Sequence, residues 1–509
     1  MSGLTPLVLE FDQPPDPLEC CDRCRGLPFL IFLDSAATSE RLGRYSFLSG
    51  DPAVVVRSKG QRTERWTATT ARWEAIAGDP LDFVRATLLH PHAAPAIPDL
   101  PPFQGGAAGY IGYDWGTRSE RVPPSRFDDL AIPDSMLGYY DWVIAWDHAL
   151  RRAWLISTGL PETGSARSRR AADRLALIRA IVAGEHPVPP RPLHPPAHRV
   201  PAGPGPPLQP LAPGIQSTFT RAGYLDAVHC VIDYIRAGDI FQANLSHRLQ
   251  ARLSGPPFAL YRRLRRHNPA PFAAYLDFGE LVIASSSPER FLRVASDTRM
   301  VEARPIKGTR PRGRDAGEDA ALRRELAASA KDRAENVMIV DLLRNDLSRV
   351  CRLGSVQVPE LFALEQYATV HHLVSTVVGE LRADRDMVDL LRTTSPGGSI
   401  TGAPKIRAMQ IIAELEPTQR AVYCGSIGYL SVTGALDTSI VIRTHLVLGD
   451  DVYFQVGSGI VADSDPEQEY RETLDKARGL IDALRDPEDP RPGPTGAHST
   501  VETPRPPRA

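Results

Sequence analysis

The sequence predicts an α+β architecture with mainly antiparallel sheets. Two observations carry that expectation: strand-length apolar runs and amphipathic helical stretches follow one another in mixed order, and no internal repeat is visible in the 509 residues. A hydrophobic content of 42% and a charged content of 24% are those of an ordinary soluble globular chain, long enough for two or three domains or one large one. The net charge of −2 gives no reason to expect a nucleic-acid or membrane-surface partner, so an anionic ligand would need a local basic cluster. No apolar run is long enough to cross a bilayer and no charged-then-apolar leader opens the chain, which predicts a cytosolic protein. Six cysteines do not make a disulfide framework. Cys20, Cys21 and Cys24 crowd together without a second Cys or His pair, and are read as incidental surface thiols.

Taken in order, 27–33 (LPFLIFL) reads as a buried strand ending at Asp34-Ser35, and 41–49 and 53–56 continue in the same style. Residues 73–89 read as a helix. The glycine-rich run 103–114 (FQGGAAGYIGYD) reads as a strand bend, since no lysine or helix start follows as a phosphate loop requires. Residues 136–148 and 153–157 suggest a hairpin, and 166–183 a helix. Prolines every few residues make 184–214 an exposed linker or surface loop between an N-terminal portion, 1–183, and a C-terminal one, 215–485. Beyond it, 220–237, 258–266, 318–350 and 404–414 read as helices, with a closing helix after Val461. Strands are expected at 240–251, 272–277, 281–286, 366–379, 424–430, 439–448 and 452–461. The Pro- and charge-rich tail 486–509 is predicted to be disordered.

Lys307-Gly308-Thr309 follows a short extended run. Gly308 lets the backbone approach a ligand, Pro305 pins the approach, and a lysine held in a partly closed place is a plausible amine nucleophile. Taken alone, Lys307 reads first as a surface lysine in a turn, and the rest of the chain is what favours the nucleophile. Two helices carry acidic pairs at i, i+3, Asp332/Glu335 and Glu469/Glu472, each pair on one helix face. Carboxylates from separated segments suit Mg2+, although solvated helix faces look the same. Asp465, Pro466 and Gln468 form a clean start for the second of these helices. Glu289 ends a strand and could serve as general acid, or simply open the next element. One of His371 and His372 must face inward, as a proton-handling group or as a satisfied core histidine. The Gly/Ser/Thr loop 396–405, containing Ser399, could cradle a carboxylate, with Arg443 and Gly457-Ser458-Gly459 on strands nearby. Together these elements suit a small, multiply carboxylated substrate.

The motif series ARPIKGTRPRG (303–313), AENVMIVDLLRNDLSRV (334–350), VHHLVSTVVGEL (370–381), GGSITGAPK (397–405), YCGSIGYL (423–430) and GSGIVADSDPEQEYRETLDKA (457–477) resembles that of the chorismate-utilising enzymes. That family includes anthranilate, aminodeoxychorismate, isochorismate and salicylate synthases. FLDS (32–35), GRYSFL (43–48) and the run 103–114 resemble the N-terminal portion of its anthranilate and aminodeoxychorismate branch. The resemblance implies an anthranilate-synthase-like fold with two facing antiparallel sheets surrounded by helices, intertwined as one unit. It implies Mg2+ held by Glu335 and Glu472 with Asp332 and Glu469 close by, and substrate carboxylates held by Gly308, Thr309, Tyr423, Arg443, Gly457, Gly459 and Lys476. His372 rather than His371 would be the active-site histidine. Ser35, Leu42, Gly43, Arg44, Tyr45, Pro271, Phe272 and Ala273 fall where the family has a tryptophan pocket.

Lysine at 307 is the pattern of the aminodeoxychorismate branch, and Gln242 that of the ammonia-using enzymes. The implied reaction is chorismate plus ammonia to 4-amino-4-deoxychorismate through a Lys307 adduct at C2, with Glu289 as acid. Ammonia would come from a glutamine amidotransferase subunit, and elimination to 4-aminobenzoate would need another enzyme. The alternatives are an anthranilate synthase large subunit and a non-catalytic tryptophan-binding regulatory subunit.

Overall fold

Paired strands from both halves of the chain build the molecule. In a computed structural model that describes residues 5–37, 41–118, 120–191, 205–367 and 370–485, the apolar strand Leu30–Asp34 pairs antiparallel with Phe272–Asp277. Gly106–Ile111 likewise pairs with Ser426–Ser431. Among the described residues the strands form two antiparallel sheets, of thirteen and twelve strands. The sheets face each other. Phe47, Val143, Leu276 and Ile283 of the first share a buried apolar cluster with Val55, Tyr110, Met136 and Ile427 of the second. Burial of such side chains contributes about 1.5–3 kcal/mol each, so this packing is a large stabilising term.

Helices cover the outer faces. Pro257–His267, Gly164–Ala183 and Pro466–Leu484 lie over the first sheet, burying Leu260, Leu264, Ile178, Ile181 and Leu480. Ala330–Ser348 and Met387–Thr394 lie over the second through Ile339, Leu343, Leu347, Leu390 and Leu391. No helix among the described residues is long and apolar enough to cross a membrane.

The α+β expectation holds, and the elements depart from the sequence reading where the chain changes sheets. The run 136–148 is two strands: Ser135–Tyr140 belongs to the second sheet and Trp142–Asp147 to the first, joined by Asp141 alone. The Asp141 carboxylate is buried and met by Arg170 Nε at 2.5 Å. The run 439–448 divides in the same way into Leu436–Ile440 and Thr444–Leu448. Both segments are mostly apolar on either side of the break, and the single charged residue at each crossing, Asp141 or Arg443, does not by itself mark a change of sheet.

The helix expected over 73–89 starts only at Pro80, with the Asp79 side chain accepting from the Leu81 N–H at 2.9 Å. Trp73–Ile76 is an edge strand, where Trp73 pairs with Trp66 and lies under the Arg57 guanidinium at 3.9 Å. The strand Gln357–Gln366, paired with Val370–Glu380, was not anticipated. Cys20, Cys21 and Cys24 are core residues of the helix Pro17–Cys24 rather than surface thiols. The tail 486–509 and the linker centre 192–204 lie outside the described residues.

The strand-bend reading of 103–114 is matched by a strand. Gly109, at φ +150°, sits opposite Gly428, and a Cβ there would run into the Met136 carbonyl oxygen of the neighbouring strand. Replacing Gly109 with alanine should therefore destabilise the fold by roughly 2 kcal/mol or more, read as a lowered urea midpoint with an unchanged m-value.

Candidate functional site

Two short connections between the sheets bring candidate residues together. Val282–Ser287 pairs with Thr444–Leu448 in the first sheet, and their continuations Arg290–Val294 and Leu436–Ile440 pair in the second. The two chains form one ribbon that bends from sheet to sheet. At the bend lie Glu289 on one chain and Arg443 on the other, stitched by Ile440 N–H to Glu289 O and Ser286 N–H to Arg443 O, both at 3.0 Å. Arg443, expected on a strand, is instead in the left-handed region at φ +55°. Its Nη1 donates to the Lys476 carbonyl. It makes no ion pair among the described residues. Burial pulls its pKa down, against the favourable fields of Tyr423 and Glu472. A partly buried cation without a carboxylate partner is a prepared anion site.

Lys307 lies not in a turn but in the strand Ile306–Pro311, paired with Val370–Glu380. The register slips between Ile306 and Thr309, a bulge that includes Gly308 at φ +87°. Bulges re-aim side chains. Here the Lys307 ammonium reaches the Ser399 carbonyl at 2.9 Å, on the short helical turn Gly398–Ile400. A Cβ at 308 would meet Asp332 Cβ at 2.9 Å, so glycine is demanded both by backbone and by space. The same Ser399 offers its side chain to Glu289, which also receives the Ile306 N–H. Burial raises the Glu289 pKa, opposed by Lys307, Ser399 and Ile306. The nucleophile and acid candidates thus share one residue as partner.

Thr309 Oγ1 is 2.9 Å from His372 Nδ1, directly across the strand pair. Burial, with Arg443 and His371 nearby, pushes His372 down to about 4, so it is neutral near pH 7. His371 turns instead to Asp319, its Nε2 at 2.9 Å from Oδ1. Behind His372, Ser375 Oγ donates to the buried Asn336 Oδ1 at 2.5 Å and fastens the helix Ala330–Ser348 to this strand.

The acidic pairs face one another across two helices, and Lys331 Nζ lies 3.6 Å from Glu469 Oε1. Glu469 accepts from Ser464 Oγ at 2.7 Å, and Asp332 from Arg310 Nη2 at 3.2 Å. Glu472 pairs with Lys476 at 2.6 Å. Burial, which would raise Glu472, is outweighed by Lys476, Lys331 and Lys307. Glu335 is raised, by burial first and then by Asp332 and Glu469, despite Lys307 and Lys331.

No three His, Cys, Asp or Glu side chains among the described residues form a ready-made metal cage. Mg2+ commonly takes only one or two protein carboxylates and completes its shell with water and substrate. Glu335 and Glu472, oxygen donors within the fields of the same two lysines, fit that mode, and the crowding of negative charge around Glu335 is what a cation would relieve.

Of the remaining candidates, Gln242 opens the strand Gln242–Arg252 beside Gly459, where a Cβ would strike its amide nitrogen, and its buried Oε1 has no partner. Lys476 Nζ donates to the Gly457 carbonyl at 2.9 Å. Tyr423 is buried beside Arg443. The residues of the expected tryptophan pocket gather elsewhere. Ser35 Oγ donates to the carbonyls of Tyr45 at 2.6 Å and Pro271 at 3.3 Å, Arg44 pairs with Asp147 at 2.7 Å, and Phe272 lies under Arg290. Leu42 is buried, and Ala273 pairs with Asp34 beside the left-handed turn at Gly43. Sequence reasoning missed Glu416 and Arg420, a fully buried ion pair at 2.7 Å behind the Ser399 loop. The signal available was an acidic and a basic residue at i, i+4, just before the apolar run that begins at Ala421.

Known proteins resemble the chain along most of its length. Residues 32–482 match the family described as chorismate binding enzyme. The chain is 41% identical over 490 residues to aminodeoxychorismate synthase component 1 of Salmonella typhimurium, covering 95% of this chain and 99% of that one. It is 46% identical over 388 residues to anthranilate synthase component 1 of Thermus thermophilus, covering 76% and 79%. The crystal structure of anthranilate synthase component I from Streptococcus pneumoniae superposes with a TM-score of 0.71 at 32% identity, over 87% of this chain and 92% of the other. The chain is an enzyme that belongs to the chorismate binding enzyme family.

Proposed function

We propose that the chain converts chorismate and ammonia to 4-amino-4-deoxychorismate through a covalent adduct on Lys307. The observation that carries the reading is the bulged strand that brings the Lys307 amine and the Glu289 carboxyl onto Ser399. Identity alone does not choose between the two named activities, since relatives of both kinds are similar to the chain. A lysine amine in the site favours the first.

The Lys307 nitrogen, once deprotonated, forms a bond to C2, the ring double bonds shift, and the C4–oxygen bond breaks as Glu289 delivers its proton, so that water leaves. Ammonia then bonds to C4, the double bonds shift back, and the C2–nitrogen bond breaks to return the amine to Lys307. The raised Glu289 pKa keeps the acid form available, as a general acid requires. Arg443, with its charge unpaired by the protein, and Lys476 would hold carboxylates of the substrate. Neutral His372, fixed by Thr309, borders the same space. Mg2+ held by Glu335 and Glu472, with Asp332 and Glu469 close by, would supply positive charge to a substrate carboxylate. Gln242 Oε1 is an acceptor without a partner, suited to an incoming ammonia N–H. A separate glutamine amidotransferase subunit would supply that ammonia.

Product analysis of the purified chain with chorismate, Mg2+ and an ammonium salt tests the reading. A product that a lyase converts to 4-aminobenzoate is expected, and anthranilate would overturn it. Adding an amidotransferase partner should let glutamine replace the ammonium salt. Lys307→Ala should lower formation of this product at least about 1,000-fold with an unchanged melting temperature, because no covalent route remains. Glu335→Gln and Glu472→Gln should each move the Mg2+ activation curve to higher concentration by about tenfold or more, and superimposable curves would refute the ligand assignment. Because His372 protonates only near pH 4, it should contribute no loss of kcat as pH falls through 6.5. A limb there that His372→Gln abolishes would contradict the neutral assignment.

A further inference from the structure

The Ser399 turn is short, and its own bonds are those of Thr401, whose N–H donates to Gly398 O at 3.3 Å and whose hydroxyl donates to Gly397 O at 3.0 Å. A further tie lies behind it, in the buried pair Arg420–Glu416. Arg420 Nε donates to Glu416 Oε2 at 2.9 Å, and Nη2 to Glu416 Oε1 at 2.7 Å. The other donors leave the pair. Nη1 reaches the carbonyl of Ile400, next to Ser399, at 2.9 Å, and Nη2 also reaches the carbonyl of Asn244 at 2.5 Å. Glu416 in turn receives the Ser246 N–H at 2.8 Å and its hydroxyl at 2.7 Å. The guanidinium centre lies 5.7 Å from the Tyr423 ring and 4.7 Å from that of Tyr113. One planar cation therefore ties the turn carrying Ser399 to the strand that begins at Gln242.

The two backbones are also joined directly. Asn244 N–H donates to Thr401 O, and Phe241 N–H to Ala403 O, each at 2.7 Å. We infer that Arg420, oriented by Glu416, is a positioning residue for this reaction: it sets the Ser399 turn against the Gln242 strand, and through Ser399 the relative placement of Lys307 and Glu289. Lysine cannot replace it, because a single ammonium cannot serve Glu416, Ile400 and Asn244 in one plane. Only the kinetic arm of the test rests on the proposed reaction.

Arg420→Lys keeps the charge and removes the fork. Amide hydrogen exchange over peptides spanning 395–405 should then speed up by about tenfold or more, while the hairpin 272–287 keeps its protection. Turnover of chorismate should fall by about 30-fold or more in kcat with KM changed less than about threefold, since alignment and not binding is lost. The pH profile separates positioning from general weakening. Ser399 holds the Glu289 pKa down, so a loosened turn raises it and moves the alkaline loss of kcat to higher pH.

Glu416→Gln, which leaves the side-chain volume and frees Arg420, should show the same changes in smaller measure and serves if Arg420→Lys does not fold. Unchanged exchange over 395–405 in a folded variant overturns the inference, as does a fall in kcat with an unmoved alkaline limb. A wild-type chain that makes a different product, or none, refutes the proposed reaction and leaves the exchange result to decide the role of Arg420.

Discussion

The site depends on a ribbon of two antiparallel chains that passes from one sheet to the other. A strand cannot leave a sheet without giving up its ladder, so both chains must break pairing at the same place and satisfy their backbone groups there. They do so with each other, through Glu289 O and Arg443 O. The cost is a left-handed arginine and a carboxyl taken out of water. Arg443 donates to the Lys476 carbonyl on a covering helix, and Glu289 is met by Ser399 and the Ile306 N–H. Packing of the two sheet faces holds the bend in place from both sides.

The charge layout follows from the same geometry. On one side, Arg443 is buried without an acidic partner, and on the other, carboxylates from two helices crowd around Glu335. Each arrangement is unfavourable alone, and the protein does not cancel one against the other. Lys331 and Lys476 neutralise Glu469 and Glu472 in part, which leaves Glu335 raised by burial and like charge. An isolated protein with this layout holds electrostatic energy that an anionic ligand and a cation together would release. A chorismate binding enzyme has to accept a substrate with more than one carboxylate, and separated regions of opposite unsatisfied charge meet that demand better than a single basic patch.

Much of this was legible in the sequence, for identifiable reasons. The helix beginning at Asp465-Pro466 is written in its cap, and Asp465 does accept from the Gln468 N–H at 2.9 Å. The hairpin around Phe278-Gly279 is bounded by turn residues, and both of its strands form where expected. The unusual backbone expected at Gly308 is present, at φ +87°. The sheet crossings at Asp141 and at 441–443 were not legible, because residues buried on both sides read as continuous apolar strands whether or not they change sheet. The break at Asp141 leaves only one polar residue as a trace. Arg420 and Glu416 were hidden differently: at i, i+4 they look like a surface ion pair, and only the sheets packed around them make them a core element. The bulge at Lys307 depends on register, which no local pattern records.

The close approach of Lys307 to Glu289 bears on how one site can supply both a nucleophile and an acid. The attacking amine needs a lone pair, and the departing hydroxyl needs a proton. Lysine ammonium beside a carboxylate offers neither. Passing one proton from the amine to the carboxyl offers both, with no change in total charge. Burial of Glu289 favours its side of that exchange, because a carboxyl is cheaper to keep out of water than a carboxylate. The positive charge of Lys307 is the first of the influences that hold Glu289 down against burial, so Glu289 holds its proton more firmly once that charge is gone. Ser399, bonded to both, has little preference between the two forms: its carbonyl accepts from ammonium or amine, and its hydroxyl can turn to carboxylate or carboxyl. In the proposed reaction the acid and the nucleophile are thus two ends of one proton transfer, and an enzyme that lacked the lysine would have to prepare Glu289 by burial alone.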